Sequence, residues 1–151
     1  YHAVIALNET ALAGGLSEEV NDALRTDGVV PILADIVADA DPASPVKLAM
    51  AAVDLLLYFW DDHATVPDEI STVLPVLTRA VADPEFFWAV VQVLDAIADG
   101  AVRTGDDATC HAVLDRIAGT SIINDVVANV ATNPGDTDDM CCFWTVLCTM
   151  C

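Results

Sequence analysis

The eleven residues Val29-Val-Pro-Ile-Leu-Ala-Asp-Ile-Val-Ala-Asp39 return 44 positions later as Val73-Leu-Pro-Val-Leu-Thr-Arg-Ala-Val-Ala-Asp83. Both copies carry Pro at the third position and end on Val-Ala-Asp. A proline follows each within a few residues, and then a long apolar helical stretch. A weaker third copy, Ile122-Ile-Asn-Asp-Val-Val-Ala-Asn-Val-Ala-Thr132, lies 49 positions further on. A period in the forties with about three helices per unit belongs to α-solenoids, in which no unit buries its apolar surface alone and stacking supplies the core.

Outward from these copies the pattern is helical throughout. Ser17-Glu-Glu is a capping-type start, with Val20, Ala23 and Leu24 as a short apolar stripe. Gly28 breaks that helix. Pro31 sits in the first turn of the next, where a missing N–H costs little. The latter should place Ile32, Leu33, Ile36 and Val37 on one face. The helix expected over residues 46–60 is apolar nearly all round and should be buried on several sides. Residues 67–72 and 73–83 read as two further helices, and 84–99 as a long one stopped by Gly100. Another round covers 106–118, 121–132 and 137 to the chain end. No stretch alternates as a strand would, so the expected class is all-α.

The 151 residues suffice for a sizeable core, and 55% apolar content with mean hydropathy +0.52 argues against disorder. Five Lys and Arg against 24 Asp and Glu give a formal charge of −19. That charge disfavours gripping phosphate backbones or docking on anionic membranes and favours basic or neutral partners. Asp outnumbers Glu 19 to five and Lys47 is the single lysine, a composition that suits either salt adaptation or an acidic face for a basic partner.

The chain opens on Tyr1 and closes inside an apolar run, so it reads as a segment of a longer polypeptide or a processed one. It shows no signal-peptide pattern. The terminal apolar run, 140–151, is shorter than the roughly 18 residues that suggest a membrane span. Of five cysteines, Cys141, Cys142, Cys148 and Cys151 crowd into this run, which is not a disulfide framework. Without paired CxxC knuckles or a nearby His, small buried apolar residues are the expected reading and a thiolate metal site the alternative. Reduced cytosolic thiols are the default.

These features resemble armadillo repeats. In that family a short first helix and a Pro-containing second helix precede a long third helix lining a concave face. The resemblance implies a right-handed α-solenoid of armadillo-like three-helix repeats, as one repeat domain over 1–151. Its parts would be a partial repeat at 1–15 and repeats at about 16–62, 63–100 and 101–151. The stretch Val66-Pro-Asp-Glu-Ile-Ser-Thr-Val-Leu-Pro-Val-Leu is similar in spacing to the nuclear-import adaptors of the importin-alpha type. Their concave helices carry Trp-x-x-x-Asn pairs. Here the matching positions are Asp54 and Tyr58, then Gln92 and Ala96. Trp144 with Cys148 alone keeps the aromatic half, so the Trp–Asn ladder is absent.

The site expected from the resemblance is a concave groove in which Asp54, Tyr58, Gln92 and Trp144 hold an extended, basic peptide. Aromatic contact with Lys or Arg stems would add cation–π attraction. Most of the other aromatics, in Tyr58-Phe-Trp60, Phe86-Phe-Trp88 and Phe143-Trp144, are expected in the core. Asp61-Asp-His63 reads as a solvated helix end, because adjacent helical residues point about 100° apart. Asp39-x-Asp41 and Asp136-x-Asp138-Asp139 read as turns and caps, since neither continues as a calcium loop. His111 beside Cys110 lacks an orienting third group. Asn8-Glu-Thr10 matches a glycosylation acceptor inside a helical pattern, and chance explains it better. No phosphate loop follows Gly14-Gly15.

The expectation is a noncovalent protein- or peptide-binding scaffold. It has no catalytic residues, cofactor, metal, nucleic acid or membrane insertion. The expected setting is the cytoplasm, with the nucleus as the alternative. The competing readings are a structural subunit of a larger assembly, a divergent nuclear-import adaptor, and a helical enzyme or metal domain using the terminal cysteines.

Overall fold

The computed structural model describes residues 2–38, 46–60, 67–103 and 105–150. Among these the protein is all-helical, without a strand: α1 (His2–Leu12), α2 (Glu18–Thr26), α3 (Val29–Ala38), α4 (Val46–Trp60), α5 (Pro67–Ala80), α6 (Phe87–Arg103), α7 (Asp107–Ala118), α8 (Ile122–Asn129), a 3-10 turn at Val130–Thr132, and α9 (Thr137–Met150). The chain divides into two compact units, Tyr1–His63 and Ala64–Cys151.

In the first unit, α4 is the core. Ala49, Met50, Ala51, Ala52, Val53, Leu55, Leu56 and Phe59 are all buried, as expected of a helix with apolar residues nearly all round. Helices α1 and α3 pack against it, and α2 packs on α3. Gly28 closes α2 with φ of +79°, a left-handed conformation that a Cβ would strain. That turn sends the chain straight into α3. The short stripe expected on α2 is not buried: Val20 is 43% exposed and Ala23 is exposed. On α3, Leu33 and Val37 are buried but Ile32 is 57% exposed. Residues 32 and 33 lie about 100° apart on a helix, so a single flank on α4 covers only one of them.

In the second unit α6 has the equivalent place. Phe87, Val90, Val91, Val93, Leu94, Ile97, Ala98 and Ala101 are buried, and α5, α7 and α9 pack around them. Two boundaries differ from expectation. Residues 67–72 and 73–83 do not form two helices, because α5 runs unbroken to Ala80 with Pro75 inside it. The Pro75 side chain is exposed while Ile70, Val73, Leu74, Val76 and Leu77 are buried. Burial of that flank outweighs the roughly 3 kcal/mol cost of an internal proline. Gly100 likewise does not stop α6, which continues to Arg103 with Ala101 fully buried and Arg103 paired to Asp99 at 2.5 Å. The expected succession of three helices over 63–100 is thus delivered as two.

Capping accounts for the starts of α7 and α9 in the second unit. The Asp106 carboxylate accepts the Thr109 backbone N–H at the start of α7. Before α9, Asp136 accepts from the backbone N–H groups of Asp138 (2.9 Å) and Asp139 (3.0 Å), and the Asp136 N–H donates back to the Asp139 carboxylate at 3.2 Å. This reciprocal arrangement is a capping box with Asp in the position usually held by Glu. The motif Asp136-x-Asp138-Asp139 therefore serves as a helix cap. Asp39-x-Asp41 and Asp61-Asp-His63 lie outside the described residues.

The entrance to α9 is held from the side as well. Gly135 sits under the ring of Trp88: a Cβ there would lie 2.4 Å from Trp88 Cζ2 and 2.8 Å from the Asp139 Cβ. Trp88 in turn stands edge-on to the fully buried Phe87, with ring centroids 4.9 Å apart, so the ring has little room to retreat. Gly135→Ala should therefore destabilise the second unit by roughly 1–3 kcal/mol through overpacking, read as a lowered urea midpoint. An alanine at the exposed Ala118 neighbour Gly119, where the nearest atoms would be 3.3 Å away, should cost less.

Candidate functional site

Three of the four expected binding residues, Asp54, Tyr58 and Gln92, fall on two polar seams, one in each unit. On α4, Asp54 and Tyr58 are one turn apart and share a flank. Asn8 on α1 donates from Nδ2 to Asp54 Oδ2 at 3.3 Å, and Asn21 on α2 donates from Nδ2 to the Tyr58 hydroxyl at 3.0 Å. Two rungs thus cross from neighbouring helices to a central helix that is otherwise apolar but for the exposed Lys47. Neither asparagine stands out as a binding residue in the sequence, since an Asn on a helical pattern carries no signal of its partner. Asn8 is only 9% exposed, so the Asn8-Glu-Thr10 motif has its asparagine inside the fold and hydrogen-bonded.

The chemistry of this seam is that of a desolvated acid. Burial raises the Asp54 carboxyl above its ordinary value, and the Asn8 hydrogen bond opposes that only in part. One polar group of the seam is left over. Asn21 uses its Nδ2 on Tyr58, while its Oδ1 is buried with no hydrogen-bond partner. With Nδ2 engaged by Tyr58, the oxygen is the end that remains for a further donor.

The second seam joins α6 and α9. Gln92 Nε2 donates to Asp139 Oδ1 at 3.1 Å, so Asp139 both closes the capping box and ties α9 to α6. One turn along, the Cys142 thiol is the hydrogen-bond partner of Asp95. Desolvation raises the Asp95 carboxyl, with Cys142 lowering it and Asp99 raising it. Desolvation and then the negative field of Asp95 raise the Cys142 thiol, which keeps it protonated and a poor nucleophile.

Gln92 and Trp144 are not brought to one face. The partner of Gln92, Asp139, precedes Trp144 by five positions, about 140° round the helix. Trp144 points outward and is 58% exposed, while its neighbour Phe143 is buried. Of the other aromatics, Phe59 and Phe87 are buried, and Tyr58, Phe86 and Trp88 are half-buried. The cysteines divide differently from the expectation of packing. Cys110 on α7 is half-buried, while on α9 Cys141 and Cys148 are exposed and Cys142 is half-buried, because α9 turns only its Asp139–Cys142–Phe143–Val146 flank inward.

Among the described residues no three His, Cys, Asp or Glu side chains are grouped to hold a metal ion. His111 is exposed and its Nδ1 donates to the Asp107 carbonyl at 2.6 Å within its own helix. No described helix is long and apolar enough to cross a membrane. No protein-family model, curated protein or solved structure matches this chain.

Two outcomes follow. A carboxyl whose folded value lies above its unfolded one stabilises the fold progressively as pH falls toward the ordinary Asp range. The wild type should therefore gain stability relative to Asp54→Asn on acidification from neutral pH. At neutral pH the Asn variant should be at least as stable as the wild type, because it removes a desolvated charge and keeps a hydrogen-bonding group. Denaturation of both proteins at a series of pH values reads this difference. In the second seam, iodoacetamide at neutral pH should label the exposed Cys141 and Cys148 well before Cys142, as followed by peptide mass spectrometry.

Proposed function

We propose that this chain is a noncovalent protein-binding scaffold of armadillo-like repeats, and that the α4 seam of the first unit receives a basic segment of its partner. The repeat reading is supported by where the similar stretches fall. The first copy holds α3 and the second opens in the latter half of α5, and each precedes a long central helix, α4 or α6. Residues 122–132 cover α8 and its 3-10 turn, and precede α9. In a right-handed solenoid of such units, the long third helices would present their polar flank to a ligand.

The observation that carries the binding reading is the unsatisfied amide end of Asn21 against the Tyr58 hydroxyl, one helical turn along α4 from Asp54. A lysine or arginine side chain supplies what that seam lacks: a cationic donor for the amide oxygen and a counter-charge for a carboxylate held in poor solvation. It would also find the Tyr58 ring for cation–π contact. The charge of −19 steers such a partner and makes its capture salt-dependent. In this reading Gln92 acts as a strut for α9, because its amide is engaged by Asp139. The absent Trp–Asn ladder makes the import-adaptor reading weaker than the general one. The reading as a structural subunit is favoured by the outward-facing Trp144.

The test is titration of the purified chain with arginine- and lysine-containing peptides and neutral counterparts at low and moderate salt. Basic peptides should bind and weaken as salt rises. Asn21→Ala and Tyr58→Phe should each cost about 1–2 kcal/mol, some fivefold to thirtyfold in Kd. Equal binding of neutral peptides, or variants with unchanged affinity, would place the contact elsewhere.

A further inference from the structure

The outer face of α9 carries Cys141, Trp144, Thr145 and Cys148, and all four are exposed. Their spacing, i, i+3, i+4 and i+7, makes one continuous stripe along the helix. It contains the largest exposed apolar side chain among the described residues, Trp144, and no charged group, in a chain whose formal charge is −19. Isolated exposed apolar residues elsewhere, such as Leu12, Val102 and Val127, need no partner. An indole flanked by a turn of soft, uncharged side chains on both sides is a different surface.

We infer that this stripe pairs with the same stripe of a second copy, the two α9 helices lying antiparallel about a two-fold axis between Trp144 and Thr145. Two features select that occupant. The first is the symmetry of the sequence itself. Cys-x-x-Trp-Thr-x-x-Cys has its cysteines equidistant from the Trp-Thr centre, so in an antiparallel pair Trp144 meets the partner copy's Thr145 and Cys141 meets the partner copy's Cys148. That self-complementarity, residue i on j and j on i, is what a two-fold interface requires. The second is charge. Asp136, Asp138 and Asp139 cluster at the start of α9. A parallel pair would set these clusters side by side. The antiparallel pair holds the two copies of Asp138 about 20 Å apart along the axis, well beyond the ~8 Å screening length at physiological salt. The uncharged stripe is the face on which two strongly acidic chains can approach.

Helix-pair contact alone makes a small interface, so association should depend on concentration and should not be obligate. This inference concerns α9 and is independent of peptide binding at the α4 seam. It is tested on the full chain by sedimentation velocity over a wide concentration range. Wild type should shift from monomer to dimer, and Trp144→Asp should weaken the dimer at least tenfold. Cys141→Glu, which places a charge on the same stripe without touching the indole, should do likewise. Far-UV circular dichroism checks that both variants keep the helical fold. Cross-linking a mixture of isotope-labelled and unlabelled chains with a bismaleimide should then give chain-to-chain Cys141–Cys148 links. A wild type that stays monomeric throughout overturns the inference. So does a dimer that both variants leave intact, or a predominance of Cys141–Cys141 and Cys148–Cys148 links, which marks parallel packing.

Discussion

Two helices with apolar residues on nearly every side, α4 and α6, constrain everything else in their units. Each buries eight apolar side chains, and no single neighbour covers more than one flank of a helix. Each therefore has to be enclosed by several others: α1 and α3 in the first unit, α5, α7 and α9 in the second. At about 1.5–3 kcal/mol for each large apolar side chain taken from water, this enclosure outweighs local preferences that oppose it. Pro75 is carried inside α5 and Gly100 inside α6 because the residues around them are needed on the core.

Enclosure leaves few places where a central helix can bear a polar group, and four of those used are met from a neighbour. Asp54 and Tyr58 are met by Asn8 and Asn21. Gln92 and Asp95 are met by Asp139 and Cys142. A buried polar atom without a partner costs more than a hydrogen bond returns, so these matches fix which residues of the enclosing helices face inward. The α6–α9 seam uses Asp139 both to cap α9 and to bind Gln92. The α4 seam retains an unmatched amide end against the Tyr58 phenol, and the α6–α9 seam an unmatched oxygen of the Asp95 carboxyl.

What the sequence revealed follows the range of each interaction. Helical class, the burial of most of the apolar residues 49–59 of α4 and the cap at Asp136 are written in local periodicity and spacing, and all can be read directly. Helix ends inside an apolar context cannot. Pro75 and Gly100 are breakers by their own chemistry, and only the surrounding burial shows that they are overruled. The short stripe at Val20, Ala23 and Leu24 has helical spacing, but spacing does not say whether a neighbour exists to cover it. The α4 seam is half legible. Asp54 and Tyr58 stand out as polar interruptions in an apolar helix, whereas Asn8 and Asn21 acquire meaning only from contacts 46 and 37 residues away in the chain. The terminal cysteines show the same limit: their composition suggests packing, and only the orientation of α9 sorts Cys142 from Cys141 and Cys148.

The claim that the α4 seam is a receptor for a basic segment is tested most directly by nitrogen-15 NMR of the labelled chain during titration with an arginine-rich peptide. Saturable shifts of the Asn21 side-chain amide, accompanied by backbone shifts around Asp54 and Tyr58, are the result the account predicts. Saturable binding that leaves those resonances in place while perturbing another face of the first unit, or the second unit alone, would contradict it.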